Sequence, residues 1–483
     1  MNPVMTIKHF NVFCILVIIN GIASVSIAGV PLQWVGIACG LVVGSYFFSR
    51  VKGLNGPLIV PLAFLLFGVM VLNLANWQYF QGNFPSAATT PYSVFIALRY
   101  LNIFSFIAIV VIVSRLCQTG NEPRVLRFLV NLGGVVACYA IYVFVAQTYG
   151  LPELFPRSRL GTGGGEQATT FSYAFHRAMG PFREPSHLAE WLMMPFALSF
   201  INKPRSLKLP KLLMGLVILM TGSMTAIMAL AIAFPLAFGI VYWRLKRIRL
   251  SWWLLKELFG GVAFFSVLTI GTNWALSGRL FETIYGRTRE IIDGGMAASN
   301  RSYVYEYLAG MPLSLFGDGL GNANIAFSLA IDNRLISSLL SIYFNMLYSA
   351  GVIGFSVFIV VLLYPLFRVL VKKNRENGRA IFLITWSYIA WLVDFGVHSE
   401  ELTIMFGISY ALLFFNTQRI GPRNLNKPIS GESENDKKNE TATSQKNQPY
   451  SQRLSFRRGD QGLSSYRGGV TAMEGKISKL LSP

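Results

Sequence analysis

The chain reads as an all-α polytopic membrane protein with about twelve transmembrane helices, and three observations lead there. Hydrophobic residues fill 53% of the 483 positions, charged residues only 13%, and the mean hydropathy is +0.49. A soluble domain carries about 25% charge. The apolar residues come in continuous runs of roughly 17 to 25, long enough to cross a bilayer core as helices, whereas a membrane barrel needs alternating strands. Basic residues gather at every second break between runs, the asymmetry that orients a bundle in a membrane.

Residues 1–149 hold the N-terminal spans, Phe10 to Ala28, Pro31 to Ser49, Pro57 to Trp77, Tyr92 to Ser114 and Leu126 to Tyr149. Lys8 ahead of an apolar run resembles a signal peptide, but another span follows at once after Pro31, so the first helix is read as uncleaved. Residues 150–185 form the first long polar break. The central spans, in 186–273, are Ser186 to Ile201, Leu209 to Gly222, Ser223 to Trp243 and Trp253 to Asn273. Leu212 to Trp243 is too long for one crossing, and the uncharged Thr221-Gly222-Ser223 divides it.

The second long break, 274–351, ends in an apolar segment, Ile336 to Ala350, that carries four serines and Asn345. The next span must run inward to reach Arg368, Lys372 and Lys373, so this segment is expected to lie in the outer interface. The C-terminal spans, in 352–416, are Val352 to Val371, Ala380 to Val397 and Leu402 to Phe415. From about Thr417 the composition changes sharply, and Ser430 to Ser451 is rich in Ser, Glu, Lys, Asn and Gln with almost no large apolar residue, so residues 417–483 cannot bury enough surface to order themselves. They are expected to be a disordered basic tail.

A net charge of +20 would suggest nucleic acid in a soluble protein. Here the basic residues fall at inner-face breaks, as in Arg50 and Lys52, Arg124 and Arg127, Lys203 to Lys211, Arg244 to Arg249, and in the tail. There they serve topology and anionic lipid, and no nucleic-acid partner is expected. Cys14, Cys39, Cys117 and Cys138 are scattered along apolar runs without CxxC spacing, so they read as packing residues. No internal repeat is visible, which counts against the common transporter architectures.

Chemistry is expected where the two long breaks mix arginines with carboxylates, glycines and aromatics. Arg177, Arg183, Glu184 and His187 fall within eleven residues at the mouth of the sixth span, beside Pro185. Charges at a membrane boundary need partners or a polar cavity, and Glu184 would meet the positive end of a helix dipole. A charged helix cap is the plainer alternative. The second break carries Arg279, Arg287, Arg289 and Arg301 among Glu282, Glu290, Asp293 and Glu306, then Gly317-Asp318-Gly319-Leu320-Gly321-Asn322.

Arginine clamps phosphate through two parallel bonds, and a glycine-rich turn lets backbone N–H groups approach an anion or a sugar. Without a strand before it, this turn is no dinucleotide site; a plain turn is the alternative. Tyr173 and Tyr303 to Tyr307 lie beside the arginine patterns, where rings stack on sugar faces or form an interfacial belt. His398, Glu400 and Glu401 occupy the last outer turn, with Asp394 one turn deeper, either completing a site or simply solvated. The histidine spacing matches no zinc motif.

The layout resembles the O-antigen polymerase and O-antigen ligase superfamily of bacterial inner-membrane proteins. The matching residues are Arg177-x-x-Gly180-x-Phe182-x-Glu184-Pro185-Ser186-x-Leu188-Ala189, Thr221-Gly222-Ser223-Met224-Thr225, Arg301 with Pro312 and the turn ending in Gly321-Asn322, and Gly351-Val352-Ile353-Gly354. They span roughly residues 100 to 415. The resemblance implies a GT-C-like fold and a glycosyltransferase acting on undecaprenyl-diphosphate-linked sugars without metal, cofactor or nucleotide sugar. For the polymerase branch, of the Wzy type, a growing glycan would leave its lipid diphosphate for the non-reducing end of an incoming lipid-linked repeat unit.

Carried onto this chain, Arg177 and Arg301 would hold the diphosphate, and Glu184 or His187 would accept the acceptor proton. Arg183, Arg287, Arg289, Asp318, Tyr173, Tyr303 and His398 are the binding candidates. The resemblance also implies membrane lipids, a chain-length regulator and a flippase as partners, an inner-membrane location with cytoplasmic termini, and a periplasmic active site. The ligase branch usually has a His-Asn pair before the interfacial helix; this chain has Asp332, Asn333 and Arg334, which favours the polymerase. The rivals are a ligase to lipid A core and a flippase of lipid-linked oligosaccharide. A flippase would carry charges along a path through the spans, whereas here they gather at one face.

Overall fold

The computed structural model describes residues 3–22, 26–27, 30–51, 58–88, 90–149, 151–152, 154, 177–182, 184–200, 208–245, 267, 270–271, 273–274, 302–334, 336, 339, 341–371, 378–394 and 400–416. Fourteen helices run through these residues: α1 (Pro3–Asn20), α2 (Leu32–Phe48), α3 (Val60–Ala75), α4 (Trp77–Gly82), α5 (Tyr92–Gln118), α6 (Glu122–Tyr149), α7 (Pro185–Leu198), α8 (Lys208–Met220), α9 (Met224–Leu245), α10 (Ser302–Gly310), α11 (Asn322–Ala330), α12 (Ile342–Val371), α13 (Gly378–Asp394) and α14 (Glu400–Asn416). Ser26–Ile27 and Val30–Pro31 add a short antiparallel pair.

Four of these helices, α5, α6, α9 and α12, are long and apolar enough to cross a membrane, and six shorter ones are also apolar. α3 shows what solvent they meet. Leu62, Leu65, Val69 and Asn73 form its buried face, while Val60, Phe64, Phe67, Val71 and Leu74 are exposed on the other. A helix that is apolar all round and bares one face to its surroundings is a membrane helix.

α7 is the central element, with every residue from Leu188 to Leu198 buried and α6, α8, α9, α13 and α14 packed around it. Trp191 of α7 donates from Nε1 to Asn20 Oδ1 at 3.3 Å, tying the centre to the end of α1. Aromatic rings join the neighbours. Phe406 of α14 stacks on Phe106 of α5 at 5.6 Å and on Tyr388 of α13 at 5.3 Å.

α12 is broken at Gly351, whose φ of 66° and ψ of −176° are not helical. A broken membrane helix must find other partners for its freed backbone groups. Here the segment before α11 supplies them. The N–H groups of Asp318 and Gly319 donate to the carbonyls of Tyr348 and Ser349 at 3.1 and 2.9 Å, and Val352 N–H donates to Ser314 at 3.0 Å. Backbone lies directly on backbone: a Cβ on Gly351 would strike the Leu315 carbonyl, and one on Gly317 would strike Ser349.

Several expected boundaries move. The first span, expected to reach Ala28, ends at Asn20, because the chain turns at Gly21 and enters the short antiparallel pair. The interfacial segment, expected from Ile336, is helical only from Ile342, and it ends at the Gly351 break. Thr221 and Gly222 form the turn that separates α8 from α9. The expected Trp253 to Asn273 span falls almost wholly outside the described residues, and the tail entirely so.

Candidate functional site

The Arg177 motif is held by the turn between α8 and α9. Ala178 N–H donates to the Met220 carbonyl at 3.0 Å, and Arg177 donates from Nε to the Thr221 carbonyl at 2.6 Å. Thr221 is itself fixed, its hydroxyl donating to the Ile218 carbonyl at 2.6 Å and accepting from Ser223 N–H at 3.2 Å. The next residues press into the core. Gly180 has φ +51° and lies so close to Ala140 that a Cβ would come within 2.8 Å of the alanine side chain. Phe182 is fully buried and packs on the Trp191 ring at 5.8 Å.

Glu184 is the N-cap of α7, in extended conformation, with Pro185 next in the helix. Its carbonyl accepts the first helical bond, from Leu188 N–H at 3.3 Å. The carboxylate is exposed and accepts a bond from the Ser186 hydroxyl at 3.3 Å. His187, one turn into the helix, is half-buried, with Nδ1 shielded from solvent. The imidazole acts electrostatically on Asp394, the last residue of α13. Asp394 is only 7% exposed, and no described residue donates a hydrogen bond to its carboxylate. A buried carboxylate is costly unless a cation or donors attend it, and the His187 imidazole acts to favour its ionised form.

Asp318 belongs to a second cluster. Its carbonyl accepts from the side-chain amides of Asn76 at 3.2 Å and Asn322 at 2.8 Å. Asn73 grips the next residue, accepting from Leu320 N–H at 2.8 Å and donating to its carbonyl at 3.2 Å. The Tyr100 hydroxyl donates to Asn73 Oδ1 at 2.7 Å, and the Tyr92 hydroxyl to Asn322 Oδ1 at 2.9 Å. Burial raises the Asp318 carboxyl above the usual carboxylate range. Burial, and then the Asp318 charge, raise the Tyr307 hydroxyl. The glycine-rich turn therefore spends its backbone N–H groups at 318, 319 and 320 on protein partners, which answers the choice between anion cradle and architectural turn in favour of the turn at those positions.

The structure thus places Glu184 and His187 at the start of α7, with Asp394 acting electrostatically on His187, and fixes Arg177 on the α8–α9 turn, while Asp318 sits in the α3–α5–α12 network. Tyr303 lies in α10. Arg183, Arg287, Arg289, Arg301, Tyr173 and His398 lie outside the described residues. The asparagine network was not foreseen. Its signal was present, since Asn73 and Asn76 interrupt an apolar run, where a polar side chain is retained only for a partner.

No protein-family model matches the chain, and neither a curated protein nor a solved structure is similar to it.

Proposed function

We propose that the protein is a polysaccharide polymerase of the bacterial inner membrane, with about twelve spans, cytoplasmic termini and a GT-C-like arrangement. It would transfer a growing glycan from undecaprenyl diphosphate to the non-reducing end of an incoming lipid-linked repeat unit at the periplasmic face. The observation that carries this reading is the electrostatic pairing of an imidazole at the start of α7 with a buried carboxylate at the end of α13, in a chain whose preceding loop anchors an arginine through Nε on the α8–α9 turn.

Each group has a task in such a transfer. The acceptor hydroxyl forms a new bond to the anomeric carbon of the donor sugar, the bond from that carbon to the phosphate oxygen breaks, and the lipid diphosphate leaves with the electron pair. Arg177 would stabilise the charge growing on that diphosphate, an electrostatic contribution of about 3 kcal/mol for a well-placed donor. His187 would take the hydroxyl proton, with the Asp394 carboxylate stabilising the imidazolium that forms. We place His187 ahead of Glu184 as base because Asp394 stands beside it, whereas the Glu184 carboxylate faces outward with a serine hydroxyl.

Glycan length in a strain lacking the protein tests the reading. Single repeat units on the surface lipid are the expected product. Long lipid-linked polymer that never reaches the lipid A core would mean a ligase instead, and repeat units trapped on the cytoplasmic side would mean a flippase. External labelling of engineered cysteines near Gly163 and Gly294, but not near Asn435, checks the orientation.

A further inference from the structure

Three large apolar side chains stand out of the segment between α10 and α11. Leu313, Leu315 and Phe316 are each 63% exposed, within a stretch from Met311 to Gly317 that carries no charge. A surface bathed in water seldom bares such a cluster, and an apolar patch of this kind marks contact with a partner or a membrane. The interfacial helix expected from the sequence does not make that contact: from Ile342 to Ala350 no residue is exposed. The apolar surface belongs instead to the irregular segment lying on the Gly351 break.

Hydrogen bonds fix the level of this segment in the bundle. The carbonyls of Ser314 and Leu315 accept from the N–H groups of Val352 and Ile353 at 3.0 and 3.4 Å, so it stands beside the first residues of the second half of α12. Exposed apolar side chains on that half run from Val352 to Val371, about 28 Å at about 1.5 Å per residue. The chain then turns basic at Lys372 and Lys373. That length nearly fills a hydrocarbon core of about 30 Å. With the basic end at one face of the membrane, Val352 falls at the opposite edge of the core and not beyond it. α3 reaches the same level: Asn76, just past its end, donates to the Asp318 carbonyl, and Leu74 continues its exposed apolar face.

Irregular backbone enters the edge of the hydrocarbon only where its polar groups find partners. Here the carbonyls do. Those of Ser314 and Leu315 are taken by α12, and that of Phe316 by the Ser314 hydroxyl. The side chains are therefore free to insert without drawing unpaired carbonyls in with them.

We infer that Leu313, Leu315 and Phe316 form a membrane anchor, a wedge that sits among the acyl chains of the leaflet at the Gly351 end of α12. The partner is lipid and not protein, because the wedge adjoins Val352 and Ile353 and lies level with Leu74, in the apolar faces that α12 and α3 turn outward. Partly inserted apolar side chains hold an element at the headgroup boundary, and this wedge holds the Gly317 to Gly321 turn and the α12 break there. The inference does not rest on the proposed glycan transfer.

The test uses the full-length protein in liposomes, with Cys14, Cys39, Cys117 and Cys138 replaced by alanine. A nitroxide spin label is attached at Leu313→Cys or Phe316→Cys, and its collisions with oxygen, which concentrates in lipid, are compared with collisions with a water-soluble nickel chelate. Ile353→Cys is the lipid-side reference and Glu306→Cys, exposed on α10, the water-side one. At 313 and 316 the oxygen-to-nickel ratio is expected to approach that at 353 and to exceed that at 306 several-fold. The labelled positions are exposed, so packing is left intact; a variant that does not migrate as native protein on gel filtration is replaced by Leu315→Cys. A ratio like that at 306 at either site would put the segment in water. Exclusion of both reagents would mean that a second copy or another part of this chain covers it. Either result overturns the anchor, as does a water-like ratio at 353, which would remove the level from which it is argued.

Discussion

Arg177 donates from Nε to the carbonyl of Thr221 at 2.6 Å, joining the loop before α7 to the turn between α8 and α9. This bond sets the direction of the guanidinium plane. Lysine keeps the charge but has no second nitrogen to anchor while another binds phosphate. Arg177→Ala is therefore expected to abolish polymer formation and Arg177→Lys to restore only a minor part, read as glycan length at matched protein levels. Normal polymer from the alanine variant would remove Arg177 from the site.

His187 and Glu184 are separated by one helical turn but differ in surroundings, and the difference assigns their roles. His187→Gln is expected to slow extension of a lipid-linked acceptor by roughly the 10²–10⁴-fold typical of general-base loss. Asp394→Asn keeps the shape of the side chain and removes its charge, so it should lower the rate and shift the pH profile with it. Glu184→Gln should cost less than either. The opposite order, measured with purified protein, would assign the base to Glu184.

Asp318 supplies a pH test of the turn. Burial raises its carboxyl above the ordinary value of 3.8 in the folded chain. Between that value and the raised one, the unfolded chain has released the proton and the folded chain still holds it, so stability falls as pH rises through this window. Above the window the penalty is constant. Asp318→Asn removes it, and should raise the melting temperature at neutral pH with an advantage that fades toward pH 3.8. Unchanged polymerisation in this variant would assign the side chain no part in binding the glycan donor.

Asn73 holds both backbone groups of Leu320 and accepts from Tyr100. Asn73→Leu leaves the Leu320 N–H and the Tyr100 hydroxyl without that partner, at a cost of roughly 1–3 kcal/mol for each group left unsatisfied. A clear fall in melting temperature is expected, together with weaker function, since the turn that completes the Gly351 break would loosen. A neutral outcome would show that water or another side chain replaces the amide.

Much of the architecture was legible along the chain. Span existence follows from apolar length, a local property, and the Thr221-Gly222-Ser223 and Gly351 breaks both appear as breaks in the helices. Ends were less legible: the first helix stops at Asn20 because the following residues pair as a hairpin, a choice that hydropathy does not encode. Of the candidate site, the density of charge around Arg177 was visible, but the environment of each charge was not.

Composition and order along the chain by themselves determined that this is a helical membrane protein, because a bilayer demands long apolar helices whatever their neighbours. They also marked where charge is concentrated. Tertiary structure alone decided which charges meet. His187 and Asp394 lie more than two hundred positions apart, and Asn73 and Leu320 are separated by 247, yet each pair interacts because packing in the bundle is set by side-chain fit between helices. Burial and partner choice depend on that fit, which has no signature in local sequence.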